Sequence, residues 1–159
     1  MNAPSTVEMP SLDHDRDFYA WANDSAARLR AGRWAEVDVE QIAEELEGMG
    51  KQQKHALAGH LKILMLHLLK WRYQPTFRGV SWRLSINNAR DEIAELLEDS
   101  PSLATNLPEI AARRYPAVRS RASLETGLAL ETFPVECPFI RDQLVDQDFL
   151  PDERSSGQT

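Results

Sequence analysis

Apolar positions recur along most of this chain at helical spacing rather than in the strict alternation of strands. The clearest series is Leu57, Leu61, Leu64, Leu68 and Trp71, in steps of four, three, four and three. Ile63, Met65, Leu66 and Leu69 widen that stripe beyond one seam, which predicts a helix surrounded by others and acting as the core post. Gln74-Pro75 should end it, because proline lacks an N–H donor and the residue before it disfavours helical backbone.

On the amino-terminal side, Phe18, Trp21, Ala22, Ala26 and Leu29 predict a first helix over about residues 15–31, with Asp13 or His14 near its start. Asp15 and Asp17 suit its positive end, Arg28 and Arg30 its negative end, and Gly32 its left-handed stop. Trp34 and Val37 are expected to tuck against the core from a short connector. Asp38 and Gln41 have capping-box spacing and open a second helix, with Ile42, Leu46 and Met49 on its buried side. Gly48 and Gly50 predict a break before the central helix.

On the carboxyl-terminal side, Ser81 is expected to cap a helix carrying Trp82, Ile86, Ala89, Ile93 and Leu96 or Leu97 on one face. Asp99-Ser100-Pro101 stops it, with Ser100 capping the next turn. Residues 103–126 are helical in character, with Leu107, Ile110, Ala111, Val118 and Ala122 inward; Pro108 complicates its start and Pro116 predicts a kink or split. Gly127 gives a stop, an irregular apolar segment through Phe133, Cys137 and Phe139 follows, and a short helix is expected near Arg141 to Val145. The whole reads as one all-α domain over residues 13–150, an irregular bundle of five or six helices around a central apolar helix. Residues 1–12 form a loose lead-in and residues 151–159 a polar tail.

Charge changes this picture more than composition does. The chain has 159 residues, 25 acids and 18 lysines and arginines, for a net charge of −7. Residues 1–50 are net −7, residues 51–90 are net +8 with no Asp or Glu, and residues 91–159 are net −8. The basic stretch therefore coincides with the central helix and the turn beyond it. Either it packs between acidic helices of its own chain, or it presents a field to an anionic partner.

Candidate chemistry is sparse. His60 and His67 share a helical face but lie about 10.5 Å apart along the axis, two turns rather than the one turn of a metal pair. No HExxH, CxxC, GxSxG or dinucleotide fingerprint occurs, and neither metal nor cofactor is expected. Carboxylate pairs such as Glu44 with Glu47 and Glu92 with Glu95 read as solvated helix faces. His67 and Cys137 form a possible polar site, with Cys137 a nucleophile only if a histidine activates it. Lys70, Arg72, Arg78 and Arg83, interleaved with Tyr73 and Trp82, form a possible anion or nucleic-acid patch, since aromatics stack on bases while cations hold phosphate. The competing reading makes Trp71 and Trp82 core clamps across that turn.

The run DRDFYAWANDSAARLRAGRW, the turn HLLKWRYQP, the start SWRLSI, the junction LLEDSPSL and the tail ETGLALETFPVECPF resemble the uncharacterised bacterial family called domain of unknown function 29, common in cyanobacteria and proteobacteria. The resemblance covers about residues 13–151 and implies an all-helical fold. Tyr19, Trp21, Gly32, His67, Trp71, Gln74, Pro75, Ser81, Trp82 and Cys137 are its family-like positions, and none carries a transferable catalytic role. The turn RGVSW is less basic than the family pattern.

No basic segment precedes an apolar one at the amino terminus, no apolar run is long enough to span a bilayer, and the one cysteine permits no internal disulfide. A cytoplasmic protein without membrane attachment is expected. The expected mode of action is binding, to another protein or to a second copy. Nucleic-acid or phosphate binding through residues 70–83 is the alternative, and an uncharacterised enzyme stands third.

Overall fold

The computed structural model describes residues 13–152 and folds them as all α, with no strand among the described residues. The helices are α1 (Phe18–Arg30), α2 (Val39–Tyr73), α3 (Val80–Asp99), α4 (Leu103–Thr126) and α5 (Arg141–Val145), with single 3-10 turns at Trp34–Glu36, Pro75–Phe77 and Leu130–Thr132. The expected lead-in, and the expected tail beyond Asp152, lie outside the described residues. Two compact units emerge, one ending at Glu47 and the other beginning at Gly48.

In the first unit, Asp17 caps α1 by accepting the Ala20 N–H at 2.9 Å, so the helix starts later than the apolar spacing predicts. Asp13 is spent on the preceding turn, where its side chain accepts the Asp15 N–H at 3.1 Å. Gly32 stops the helix at φ +72°, as expected. Arg28 bonds Asp24 at 2.8 Å and donates to the Glu36 carbonyl at 2.8 Å, which ties α1 to the 3-10 turn. His14 donates to Glu45 at 2.7 Å and packs edge-on against Trp21 and Phe18.

In the second unit, Leu57, Leu61, Leu64, Met65, Leu68 and Leu69 of α2 are wholly buried and form the core post. His60 lies 3.8 Å from Glu92, and Ser100 donates to Gln53 at 3.2 Å, so α3 runs antiparallel to α2. Lys70 reaches Glu125 at 3.0 Å and Gln74 donates to the Thr126 carbonyl at 3.1 Å, which sets α4 parallel to α2. Ile86, Ala89 and Ile93 of α3 complete this three-helix core with the inward face of α4. Phe133, Phe139 and Leu144 of the last segment close it.

Several local expectations are corrected. Helix α2 runs unbroken through Gly48 and Gly50, both of which keep ordinary negative φ. Each glycine costs about 1 kcal/mol relative to alanine inside a helix, too little to interrupt a strongly cooperative element. Leu46 is 64% exposed and Met49 62%, so the buried side of α2 begins only at Leu57. Trp34 does not tuck into the core; it is 66% exposed, its indole nitrogen resting near the Gly32 reversal. Gly79, not Ser81, precedes α3, and Ser100 closes α3 rather than capping α4 with its side chain. Helix α4 is not split: Pro108 and Pro116 stand on its exposed side, where water can satisfy the carbonyls that lose an N–H partner, while Leu107, Ile110, Ala111 and Val118 hold the other side.

Candidate functional site

The 70–83 turn is built from the carboxyl end of α2, the 3-10 turn and the start of α3. Lys70 lies 4.9 Å from the Trp82 ring centroid while it pairs with Glu125, whose carboxyl is held below its ordinary range by its bonds to Arg121 and Lys70. Arg78 donates to the Trp71 carbonyl at 2.7 Å and lies 5.3 Å from the Trp71 ring, and its Nη2 is buried without a protein partner among the described residues. Arg72 lies 5.5 Å from the Tyr73 ring, and Tyr73 packs edge-on against Phe133. Trp82 is half-buried and Arg83 is exposed. The turn thus directs Lys70, Arg72 and Arg78 onto its own aromatics and backbone, and Arg83 outward.

His67 and Cys137 have separate surroundings. His67 Nδ1 donates to the Ile63 carbonyl at 2.8 Å, and the ring borders an open groove of about 260 Å³ with Lys62, Ala117, Val118 and Arg121. Burial pushes its pKa down from the ordinary imidazole value, favouring the neutral ring. Cys137 Sγ lies 3.7 Å from both Met65 Sδ and the Phe139 carbonyl, and burial pushes its thiol up. Such a cysteine is held as the thiol rather than as a nucleophilic thiolate. Among the described residues no group of three or more His, Cys, Asp or Glu is placed to hold a metal ion, and no helix is long and apolar enough to cross a membrane.

Sequence reasoning missed the polar residues that fasten the carboxyl-terminal segment. Arg90 is 1% exposed and spends its guanidinium on the carbonyls of Gln143, Leu144 and Gln147. Tyr115 donates to the Pro134 carbonyl at 2.9 Å, and Arg119 to the Phe133 carbonyl at 3.0 Å. A signal existed for Arg90: it continues the apolar spacing of Ile86, Ala89 and Ile93, where a solvated arginine has no place. These residues fasten the carboxyl-terminal segment to α3 and α4.

The first unit presents the other notable surface. Trp21 and Ser25 are buried, whereas Phe18, Tyr19, Trp34, Val39 and Leu46 are exposed, Tyr19 by 80%. Asp15, Asp17, Asp38, Glu40 and Glu44 are exposed in the same unit. The chemistry offered is adhesive: amphipathic aromatics in an acidic setting.

No curated protein and no solved structure matches the chain. Residues 14–150 match the family described as domain of unknown function DUF29, and the chain belongs to that family.

Proposed function

We propose that this chain works as a small helical interaction module in the cytoplasm, docking through the first unit onto a second copy of itself. The observation that carries this reading is the exposure of Phe18, Tyr19, Trp34, Val39 and Leu46 within a unit so short. So many exposed large apolar side chains in one short unit favour an interaction site over a plain solvated surface. Charge complementarity selects the occupant: residues 1–50 are net −7, and every copy exposes Lys54, Lys62 and Arg83 from the basic segment 51–90. Opposite charges on the two copies favour encounter and weaken with salt. The lone Cys137, a part-buried thiol, suits a reducing compartment.

Sedimentation equilibrium across a wide range of protein concentration tests this. The expected result is a reversible oligomer that loosens with salt. The double variant Tyr19→Ser, Trp34→Ser should weaken it at least about tenfold, roughly 1.4 kcal/mol, with helicity unchanged. A chain that stays monomeric at the highest concentration, or an oligomer indifferent to both substitutions, would overturn the reading.

A further inference from the structure

Within the second unit, α2 and α4 leave an open groove of about 190 Å³ walled by Lys51, Lys54, His55, Arg113 and Arg114 over a floor of Ala58 and Ile110. The spacing explains the convergence. Residues 51, 54, 55 and 58 share one face of α2, residues 110, 113 and 114 share one face of α4, and the parallel packing of the two helices sets those faces opposite each other. One carboxylate lines the groove, Glu109, and it is bonded to Arg113 at 2.9 Å. Among the described residues neither Lys54 nor Arg114 is in an ion pair.

The opposite end of the same helix pair makes the contrast. There Lys70 and Arg121 converge on Glu125 at 3.0 and 2.7 Å, so two cations share a carboxylate that both reach. At the groove, Lys54 and Arg114 stand without an ion pair among the described residues, beside Arg113, whose partner Glu109 is the lining's one carboxylate. Like charges held this close repel one another, and a bound anion would relieve that repulsion. Two arginines side by side offer planar forks of donors suited to phosphate oxygens, with lysines as point charges beside them.

Size narrows the ligand. A cavity of about 150 Å³ accommodates a six-atom ring such as benzene, so this groove suits a molecule only slightly larger. Sites for whole nucleotides and drug-sized ligands run from roughly 300 Å³ upward. We propose that the groove between α2 and α4 is a binding site for a small phosphate-bearing anion, of the size of a phosphomonoester or pyrophosphate. The groove shares Lys51 and Lys54 with the basic segment invoked for self-association, but the two readings fail separately, because anion binding is read by titration and self-association by sedimentation.

The test is a titration of the isotopically labelled protein with sodium pyrophosphate, inorganic phosphate and citrate, each against sodium chloride at matched ionic strength. Pyrophosphate should bind most tightly, shift the amides of residues 51–58 and 109–114, and raise the thermal midpoint. Lys54→Gln and Arg114→Gln should each weaken pyrophosphate at least about tenfold while leaving helicity unchanged, whereas Arg83→Gln should leave binding as it is. Absence of binding beyond the chloride control overturns the proposal, as does binding that survives both groove substitutions. Shifts centred on residues 70–83 would move the site to the turn and overturn it too. Equal affinity for citrate would show that the groove reads charge alone and would overturn its assignment to phosphate.

Discussion

Arg90 donates from Nη2 to the carbonyl of Gln143 at 2.9 Å, joining the middle of α3 to the short α5. Its Nε reaches the Leu144 carbonyl at 3.3 Å and its Nη1 the Gln147 carbonyl at 3.4 Å. A five-residue helix is too short to stand by itself, and its last carbonyls lack partners along the chain. The buried guanidinium supplies those partners and places positive charge at the negative end of the helix dipole. Burial lowers the pKa of Arg90, while the nearby Asp146 and Asp148 act in the opposite direction. Among the described residues no carboxylate within ion-pairing distance answers the charge; the backbone does.

Replacement of Arg90 should therefore be among the most damaging single changes in the second unit. Arg90→Ala strands three carbonyls and opens a cavity, for an expected loss of about 3 to 5 kcal/mol. Arg90→Lys keeps the charge but cannot span three acceptors, and should lose about half as much. Urea unfolding gives the magnitudes, and amide exchange should show residues 141–150 loosening first. A loss under about 0.5 kcal/mol for both variants would remove Arg90 from this role.

Tyr115 and Arg119, one turn apart on α4, hold adjacent carbonyls of the irregular segment at Pro134 and Phe133. Tyr115→Phe removes one hydroxyl from a buried setting and should cost about 1 kcal/mol. Burial also pushes the Tyr115 pKa above the ordinary phenol value, so the folded chain holds this proton more firmly than the unfolded one. That contribution is complete below pH 10 and is lost as pH rises above it, so the wild type should lose stability more steeply above pH 10 than Tyr115→Phe does. Identical alkaline stability profiles for the two proteins would contradict the assignment.

The helix pattern was legible where side chains bury apolar surface. Leu57 to Leu69, Ile86 to Ile93 and Leu107 to Ala122 follow helical spacing, and the core lies along them. It failed where a residue's role is set by distant backbone. Arg90 and Tyr115 are explained by carbonyls at positions 134 to 147, which no local window contains. It also failed where local cost was weighed without cooperativity, as at Gly48 and Gly50. The basic run of residues 51–90 stood out in the sequence, but its division into an end where Lys70 is neutralised and an end where Lys54 faces Arg114 depends on which part of α4 lies opposite.

The two histidines His14 and His67 should titrate in opposite directions. His14 has Asp15 at 2.9 Å on one ring nitrogen and Glu45 at 2.7 Å on the other, an arrangement only the imidazolium can satisfy with two N–H donors. Those bonds raise its pKa above 6.5, so its stabilising effect is complete below that pH and is lost as pH rises through the folded value. His67 is desolvated and its pKa lowered, so its contribution is present above pH 6.5 and is lost as pH falls through the folded value. Imidazole resonances followed by NMR should show His14 titrating above 6.5 and His67 below it. Both titrating on the same side would refute this division.

Gly48 and Gly127 separate conformation from space. A methyl group at either would meet nothing within 4 Å, but Gly127 sits at φ +72° whereas Gly48 has no positive φ and lies inside α2. Gly48→Ala should stabilise the chain by about 0.5 to 1 kcal/mol, because alanine loses less backbone freedom on folding. Gly50→Ala, also in open space within α2, should do the same. Gly127→Ala forces a side chain into the left-handed region and should cost about 1 to 2 kcal/mol. Thermal unfolding of the three variants decides the matter. If Gly48→Ala and Gly50→Ala both destabilise the chain, α2 is not continuous through those positions, and the break expected from the glycines is the correct description.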